Sequence, residues 1–171
     1  GVLTVNSVGG KISIGVPQNV KKAGVEISGG NATINNIHVE ELKAETTGGD
    51  LLINDSSGSI KALAMGGSIN ITNVNSNDIQ AKSINGKIQM VMGSLIDGKI
   101  ELDSTADGVK LFVTEDSAFD LDAEIIDGKF ESNLELEMIE DGPTQYKAKY
   151  NEGGASILIK TKHGDVKIAK K

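Results

Sequence analysis

A short turn-and-strand unit recurs along the chain and constrains the fold more than any other sequence feature. "TTGGDLLI" at residues 46–53 returns as "AMGGSINI" at 64–71 and as "SINGKIQM" at 83–90. Steps of 18 and then 19 residues separate the equivalent glycines, which are Gly49, Gly67 and Gly86. Two short strands in each period of about 19 residues predict a β-solenoid, in which equivalent strands of successive coils lie parallel.

The turn chemistry explains why this unit is repeated. A small polar residue followed by Gly or Asn is typical of a turn that needs a positive φ or a close backbone approach. The alternating residues that follow predict a strand with one buried face. Eight copies are present, of which a weaker one lies around Val25, Ile27 and Gly30 and the others begin at Leu3, Leu42, Ile60, Ile79, Ile100, Leu121 and Ile157. The first copy runs on to Ile12 and Ile14, and the step from Ile100 to Gly108 is one residue longer than usual, which predicts a bulge or a wider corner.

An antiparallel β-sandwich is the alternative, because it also has short strands separated by turns at regular spacing. The solenoid is favoured because the same residue type recurs at the same place in the frame, as inward stacks and polar ladders require. One such column consists of Ala44, Ala62, Ala81 and Ala123, and a second consists of Thr46, Ala64, Ser83, Ser104 and Thr161. We therefore predict an all-β fold, a parallel β-solenoid of about eight coils.

One segment interrupts the frame near the C-terminus. The turn signal "EDGPT" lies there between two alternating runs, which predicts a β-hairpin insertion at about 133–150 within a single domain that spans residues 1–171. Pairing around Gly142 places Glu137 opposite Lys147 and Glu135 opposite Lys149, so that two opposite-charge pairs form across the strands.

Composition excludes several classes of function. The net charge is −7, no Arg is present, and aromatic residues make up 3% of the chain, so the basic stripe and stacking platforms of nucleic-acid binding are missing. The absence of Cys excludes disulfides and thiol catalysis. No apolar stretch approaches the roughly 18 residues of a membrane span, so we expect no membrane insertion. Residue 1 is Gly rather than Met, from which we expect an export signal or anchor upstream.

Candidate site residues are few. The two histidines, His38 and His163, have no partner at a spacing typical of a catalytic triad or a metal ligand pair. Asp107 and Asp127 each precede a turn glycine and would stack along one edge of a solenoid, where carboxylate oxygens suit Ca²⁺. Asp before Gly is also ordinary turn chemistry. We therefore predict no catalytic residue, no cofactor and no bound metal, with Asp107 and Asp127 as the calcium candidates.

The recurrent unit "T-x-x-G-D/S-I-x-I" and the closing stretch "GGASILIKTKHGDVKI" at 153–168 carry a family resemblance. The chain resembles the bacterial putative-adhesin family of β-strand-repeat domains of unknown function, over essentially its whole length. The resemblance implies a right-handed parallel β-helix-like fold and an exported or envelope-associated setting. It implies no catalytic residues, because the family has none that are established.

Three functions follow as hypotheses. The first is a non-enzymatic, extracytoplasmic cell-envelope module that binds a cell-wall polymer or a surface protein through outer faces rich in Asn, Thr and Lys. The second is a structural or sensory component of the envelope-stress response that acts through a protein partner, met through the hairpin at 133–150. The third is a carbohydrate-active enzyme on a β-helix, which the many carboxylates permit but the lack of Arg and of aromatic residues disfavours.

Overall fold

The structure is a computed structural model that describes residues 1–9 and 19–171. Within that part of the chain, every regular element is a β-strand. The strands up to the middle of the chain are β1 (Val2–Ser7), β2 (Lys22–Ile27), β3 (Ala32–Asn35), β4 (His38–Thr46), β5 (Leu51–Asn54), β6 (Ser57–Ala64), β7 (Ile69–Val74), β8 (Asp78–Ser83) and β9 (Ile88–Met92). The others are β10 (Lys99–Ser104), β11 (Val109–Val113), β12 (Phe119–Asp127), β13 (Phe130–Ser132), β14 (Glu137–Asp141), β15 (Gln145–Tyr150), β16 (Ala155–His163) and β17 (Val166–Lys170).

The strands form two sheets, and the chain alternates between them from β2 to β13. The first sheet has the order β1-β2-β4-β6-β8-β10-β16-β12-β15-β14, and the second has the order β13-β17-β11-β9-β7-β5-β3. All neighbours are parallel except in the hairpin, where β12 pairs with β15 and β15 with β14 in antiparallel fashion. The expected all-β fold with parallel sheets is thus confirmed, and the antiparallel sandwich is excluded.

The predicted residue columns are present in the register of the first sheet. Ala44 pairs with Ala62 and Ala62 with Ala81, while Thr46 pairs with Ala64 and Ala64 with Ser83. Both columns point into a core that lies between the two sheets and consists mainly of Ile, Leu, Val and Ala. The count of eight coils stays a prediction, because the second strand expected at Ile12 and Ile14 lies outside the described residues. The right-handed sense also stays a prediction.

The coils do not stack in the order of the sequence. Strand β16 inserts between β10 and β12, and β17 inserts between β11 and β13, so the C-terminal coil is the last but one in space. The hairpin makes this order possible, because β15 lies on the outer edge of β12 and the chain then returns along the inner edge as β16. Sequence adjacency alone gives no sign of this rearrangement, because the C-terminal copy has the same pattern as the others.

The corner that leads from the first sheet to the second, which we name the first corner, has the same length in every described coil. The second sheet resumes five positions after the column of Thr46, for example from Thr46 to Leu51 and from Ser104 to Val109. The bulge or wider corner predicted between Ile100 and Gly108 is therefore wrong. Gly108 lies four positions after Ser104, whereas Gly49 lies three positions after Thr46, so only the glycine is displaced by one residue and the corner length is unchanged. Gly108 has φ +80°.

Close backbone approach explains the glycines of this corner. A Cβ built on Gly67 would lie 2.5 Å from the carbonyl carbon and oxygen of Gly49, and one on Gly86 would lie 2.5 Å from the carbonyl carbon of Gly67. Neither of these glycines has a positive φ, so the strained-backbone explanation does not apply to them. The side-chain hydroxyl of Ser83 donates a hydrogen bond of 2.8 Å to the carbonyl of Gly67, which ties the polar ladder to the glycine column.

The predicted hairpin is present, but its predicted register is wrong. Glu137 lies opposite Lys149 rather than Lys147, and the ladder shifts at Ile139, so that Lys147 lies opposite Glu140 instead. The turn is centred beyond Gly142, whose N–H donates to the carbonyl of Gln145. The predicted register is wrong because it assumes a regular ladder centred on Gly142, whereas the turn is displaced and β14 contains a bulge.

Aromatic residues close the end of the molecule that carries the hairpin. The rings of Phe119 and Tyr150 lie 5.3 Å apart, and those of Phe130 and Tyr146 stack at 5.1 Å. Four of the five aromatic residues therefore lie at this end, where they cover the edge of the core.

Candidate functional site

The corner that returns from the second sheet to the first, which we name the second corner, changes in length along the molecule. Two residues connect β3 to β4 and β5 to β6, three connect β7 to β8, and six connect β9 to β10. Asn36 and Asp55 begin the two-residue corners in the left-handed conformation, with φ of 57° and 51°. Asn73, the residue equivalent to Asp55 in the next coil, has φ 52° and lies near the end of β7. Asn and Asp tolerate this conformation better than other residues with a Cβ. Because the connection at 93–98 is longer than those of the preceding coils, it projects beyond them and leaves a step in the surface.

A cleft of about 670 Å³ occupies this step, and we name it the corner cleft. This volume lies in the range of small-ligand sites. Its polar lining includes Glu40, Ser59, Asn75, Ser76, Asn77, Asp78, Ser94 and Asp97, and its apolar lining consists of Leu95 and Ile96. The cleft thus gathers hydroxyl, amide and carboxylate groups from four successive coils around one opening.

The loop at 93–98 forms one wall of the cleft, and two of its residues fix its path. Leu95 is buried, and its backbone N–H donates a hydrogen bond of 3.1 Å to the side-chain hydroxyl of Ser117, which holds the backbone in place. Gly98 has φ +99°, and a Cβ at this position would lie 2.1 Å from the carbonyl oxygen of Asn77. Between these two anchors, Ile96 is 61% exposed, and it lines the cleft together with Asp97.

Hydrogen bonds hold the opposite wall. The hydroxyl of Ser59 donates to a carboxylate oxygen of Asp78 at 2.8 Å, and the hydroxyl of Ser76 donates to the backbone carbonyl of Asp78 at 3.1 Å. The backbone carbonyl of Asn77 accepts from the N–H of Lys99 at 2.7 Å. The wall is therefore organised before any ligand arrives, which lowers the entropy cost of binding.

The electrostatics of the cleft favour neutral hydrogen-bond donors. Among the described residues, its lining contains the three carboxylates of Glu40, Asp78 and Asp97 and no lysine. A hydrogen bond from Lys21 and its nearby charge lower the pKa of Glu40, so this carboxylate is ionised at neutral pH. At the back of the loop, hydrogen bonds from the hydroxyls of Thr114 and Ser94 lower the pKa of Asp116. An anionic group placed in the cleft would be repelled, whereas hydroxyl and amide donors would be accepted.

The outer faces of the two sheets satisfy many of their own polar groups. On the first sheet, Lys43 lies 2.8 Å from Glu45, Lys82 lies 2.7 Å from Asp103, and Lys99 lies 2.6 Å from Glu101. On the second sheet, the Asn54 side-chain oxygen accepts from the hydroxyl of Thr72 at 2.9 Å. Binding through these outer faces is what the sequence predicts, but the concavity on the first sheet has a volume of only about 350 Å³, against about 670 Å³ for the corner cleft, and many of its charged groups already pair with one another.

The structure does not bring the two calcium candidates together. Asp127 lies in register with His163 of the inserted strand β16, and its carboxylate oxygen is 3.3 Å from Nδ1 of that histidine. Asp107 follows β10 on the other side of β16, so an intervening coil separates the aspartates by about 9.6 Å at the usual strand spacing. Within residues 1–9 and 19–171, no three His, Asp or Glu side chains are placed so that they could hold a metal ion. That no metal is bound, with Asp107 and Asp127 as the calcium candidates, stays a prediction.

Sequence reasoning missed most of the corner cleft. Asp97 precedes Gly98, which is ordinary turn chemistry, and no motif marks Ser94 or Ile96. A signal was available, because 22 residues separate Gly86 from Gly108, which is longer than the steps of 18 and 19 before it. The extra residues form the loop at 93–98 that builds the wall.

None of the described elements is a helix, so none is long and apolar enough to span a membrane in that form.

Comparisons with known proteins give one family and one solved structure. The family model described as Toastrack DUF4097 matches residues 1–169. The crystal structure of a "putative cell adhesion protein" from Clostridium sporogenes ATCC 15579 is similar at 15% identity, with a TM-score of 0.47. That similarity covers 78% of this chain and 58% of the other, so the chain spans somewhat more than half of that protein. No curated protein matches the sequence.

Proposed function

The chain belongs to the Toastrack DUF4097 family, and from this premise we propose that it is a non-enzymatic binding module of the bacterial cell envelope. The family match agrees with the resemblance to adhesin-like β-repeat domains of unknown function. We place the module outside the cytoplasm, where it holds the hydroxyl- and amide-rich sugar strands of a cell-wall polymer in the corner cleft.

The observation that carries this proposal is the corner cleft itself. A sugar polymer presents many hydroxyl and amide donors, and the carboxylate and amide oxygens of Asn75, Asn77 and Asp78 are suitable acceptors for them. Ile96 offers an exposed apolar surface beside these groups, against which the C–H face of a sugar ring can pack. The cleft is open, so a polymer chain can enter it without a free end.

Retention on insoluble peptidoglycan tests the proposal. We expect saturable binding of the wild-type protein, and we expect Asp97→Ala combined with Ile96→Ser to weaken it about tenfold. The matched control is Asp107→Ala, because Asp107 also precedes a glycine of positive φ but lies at the first corner, away from the cleft. Urea denaturation of each variant establishes that all of them are folded.

Each alternative outcome has a definite meaning. Equal loss in the Asp107→Ala control, or no binding by the wild type, would refute the corner cleft as a polymer site. Retention of an envelope protein in place of the polymer would favour the structural or sensory component. Release of soluble sugar fragments would show a carbohydrate-active enzyme. Repeating the measurement with a calcium chelator tests the calcium prediction at Asp107 and Asp127.

A further inference from the structure

A second concavity lies where the hairpin meets the outer face of the first sheet. It has a volume of about 440 Å³, and we name it the hairpin groove. The residues that matter for its chemistry are Glu101, Asp120, Asp122, Ile139, Lys147 and Leu158. It crosses β10, β16, β12, β15 and β14, which corresponds to about 19 Å at the usual strand spacing.

The β-bulge in β14 gives the groove its apolar wall. The pairing of β14 with β15 shifts between Met138 and Glu140, so Ile139 is the extra residue. Bulges re-aim side chains and terminate regular pairing. Here the bulged Ile139 lines the groove while it stays 60% exposed, and Leu158 of β16 forms an apolar part of the floor. An exposed isoleucine held in this way gains stability when a partner covers it.

The charges around the groove select the partner. Residues 131–141 contain five acidic residues and no basic one, and these supply most of the surplus negative charge. The acids of β12 lie near lysines, since Lys149 is 3.9 Å from Asp120 and Lys160 is 3.8 Å from Glu124. Two lysines line the groove, and each is already paired with a carboxylate, because Lys147 lies 3.1 Å from Glu140 and Lys99 lies 2.6 Å from Glu101. The Asp122 carboxylate accepts a hydrogen bond from the neutral side chain of Gln145. The surface is therefore complementary to positive charge.

We propose that the hairpin groove is a docking site for an extended segment of a partner protein that combines lysine or arginine with aliphatic residues. The aliphatic side chains cover Ile139 and Leu158, and the basic side chains reach Asp122 and the acidic hairpin. A length of about 19 Å accommodates about six residues of an extended chain. This site is separate from the corner cleft and does not depend on polymer binding.

Three synthetic peptides with blocked ends test this inference by fluorescence anisotropy. The probe alternates lysine and valine over six residues, the second peptide replaces valine with serine, and the third replaces lysine with glutamate. We expect the lysine-valine peptide to bind most tightly, and we expect Ile139→Ser and Asp122→Asn each to weaken it at least fivefold. Raising the salt concentration weakens it further, because the attraction is partly between exposed charges.

The matched control is Ile126→Ser. Ile126 is 58% exposed, nearly as much as Ile139, but it lies at the first-corner end of β12 and does not line the groove. Binding within twofold of the wild type is expected for this variant. An equal loss in both isoleucine variants, or equally tight binding of the lysine-serine peptide, would overturn the inference, because non-specific charge attraction would then explain the binding.

Two further readouts separate this inference from its rivals. If sedimentation shows a dimer of the free protein that Ile139→Ser abolishes, a second copy of this chain covers the groove and the proposed partner is wrong. Retention on peptidoglycan is expected to be unchanged in Ile139→Ser, so that a failure of the corner cleft and a failure of the hairpin groove can be told apart.

Discussion

The first and second corners of the coil are made from similar small and polar residues, yet they differ in what they allow. At the first corner, the backbones of successive coils approach so closely that a Cβ on Gly49 would lie 2.3 Å from the carbonyl oxygen of Gly30. The corner length is the same in every described coil. At the second corner, the connection grows from two residues to six, and the corner cleft lies where it grows.

This difference shows where a repeat fold of this kind can acquire a binding site. Tight stacking at the first corner fixes both residue type and length, so an added side chain or residue would disturb its neighbours. The short connections of the second corner begin with left-handed Asn or Asp residues, and although Gly98 there also lies close to the neighbouring coil, the length of the connection differs from coil to coil. Length can vary there without breaking the sheets, and loops positioned on a rigid scaffold are the usual place for binding residues.

The largest effect is expected from adding one methyl group at the first corner. Gly67→Ala places a Cβ 2.5 Å from the Gly49 carbonyl, so backbone must move, and we expect a loss of about 2–3 kcal/mol in the free energy of unfolding. Gly29→Ala is the matched control, because no atom lies within 4 Å of its added Cβ. Urea denaturation measures both. Equal midpoints for the two variants would mean that close approach does not constrain this corner.

A smaller loss is expected from removing a buried hydroxyl beside the same glycine column. Ser83→Ala leaves the carbonyl of Gly67 without its side-chain donor, and we expect a loss of about 1 kcal/mol. Alanine fits the space, because Ala64 occupies the same column in the neighbouring coil. Ser156→Ala, at an exposed position of β16, provides the control and is expected to lie within about 0.5 kcal/mol of the wild type. If Ser156→Ala lowered the free energy of unfolding as much as Ser83→Ala, the hydrogen bond from Ser83 to Gly67 would not explain the loss.

The two corners also predict opposite responses to glycine. At the second corner, Asn73 has φ +52°, so Asn73→Ala costs about 1 kcal/mol, whereas Asn73→Gly stays within about 0.5 kcal/mol of the wild type. Thermal or urea unfolding of the two variants measures the difference. If alanine were tolerated as well as glycine, the left-handed conformation would not be what selects Asn at this corner.

Much of the scaffold can be predicted from the sequence, because the same turn-and-strand unit is repeated along the chain. The columns of Ala44 and Thr46 predict which residues lie in register, since a solenoid places equal positions of the frame above one another. The inserted C-terminal coil cannot be predicted in this way. Strand β16 has the same alternation as β12, so the pattern does not say which neighbour it joins.

The hairpin and the corner cleft show a second limit. The charge pairs around Glu137 predict a hairpin but the wrong register, because a bulge at Ile139 changes the pairing without changing the alternation on either side. The long step between Gly86 and Gly108 reveals extra residues near the cleft, but not that Leu95 turns inward and Ile96 outward. Those orientations depend on contacts with Ser117 and Asn77, which come from other coils.

The most direct test of the contrast between the corners is a titration of the ¹⁵N-labelled protein with soluble peptidoglycan fragments, followed by amide chemical shifts. We predict saturable shifts at residues 75–78 and 94–97, with the first-corner amides at 47–50 and 65–68 unchanged. Shifts centred on the first corner or on the outer sheet faces, or none at all at high fragment concentration, would contradict the account that the second corner carries the binding site.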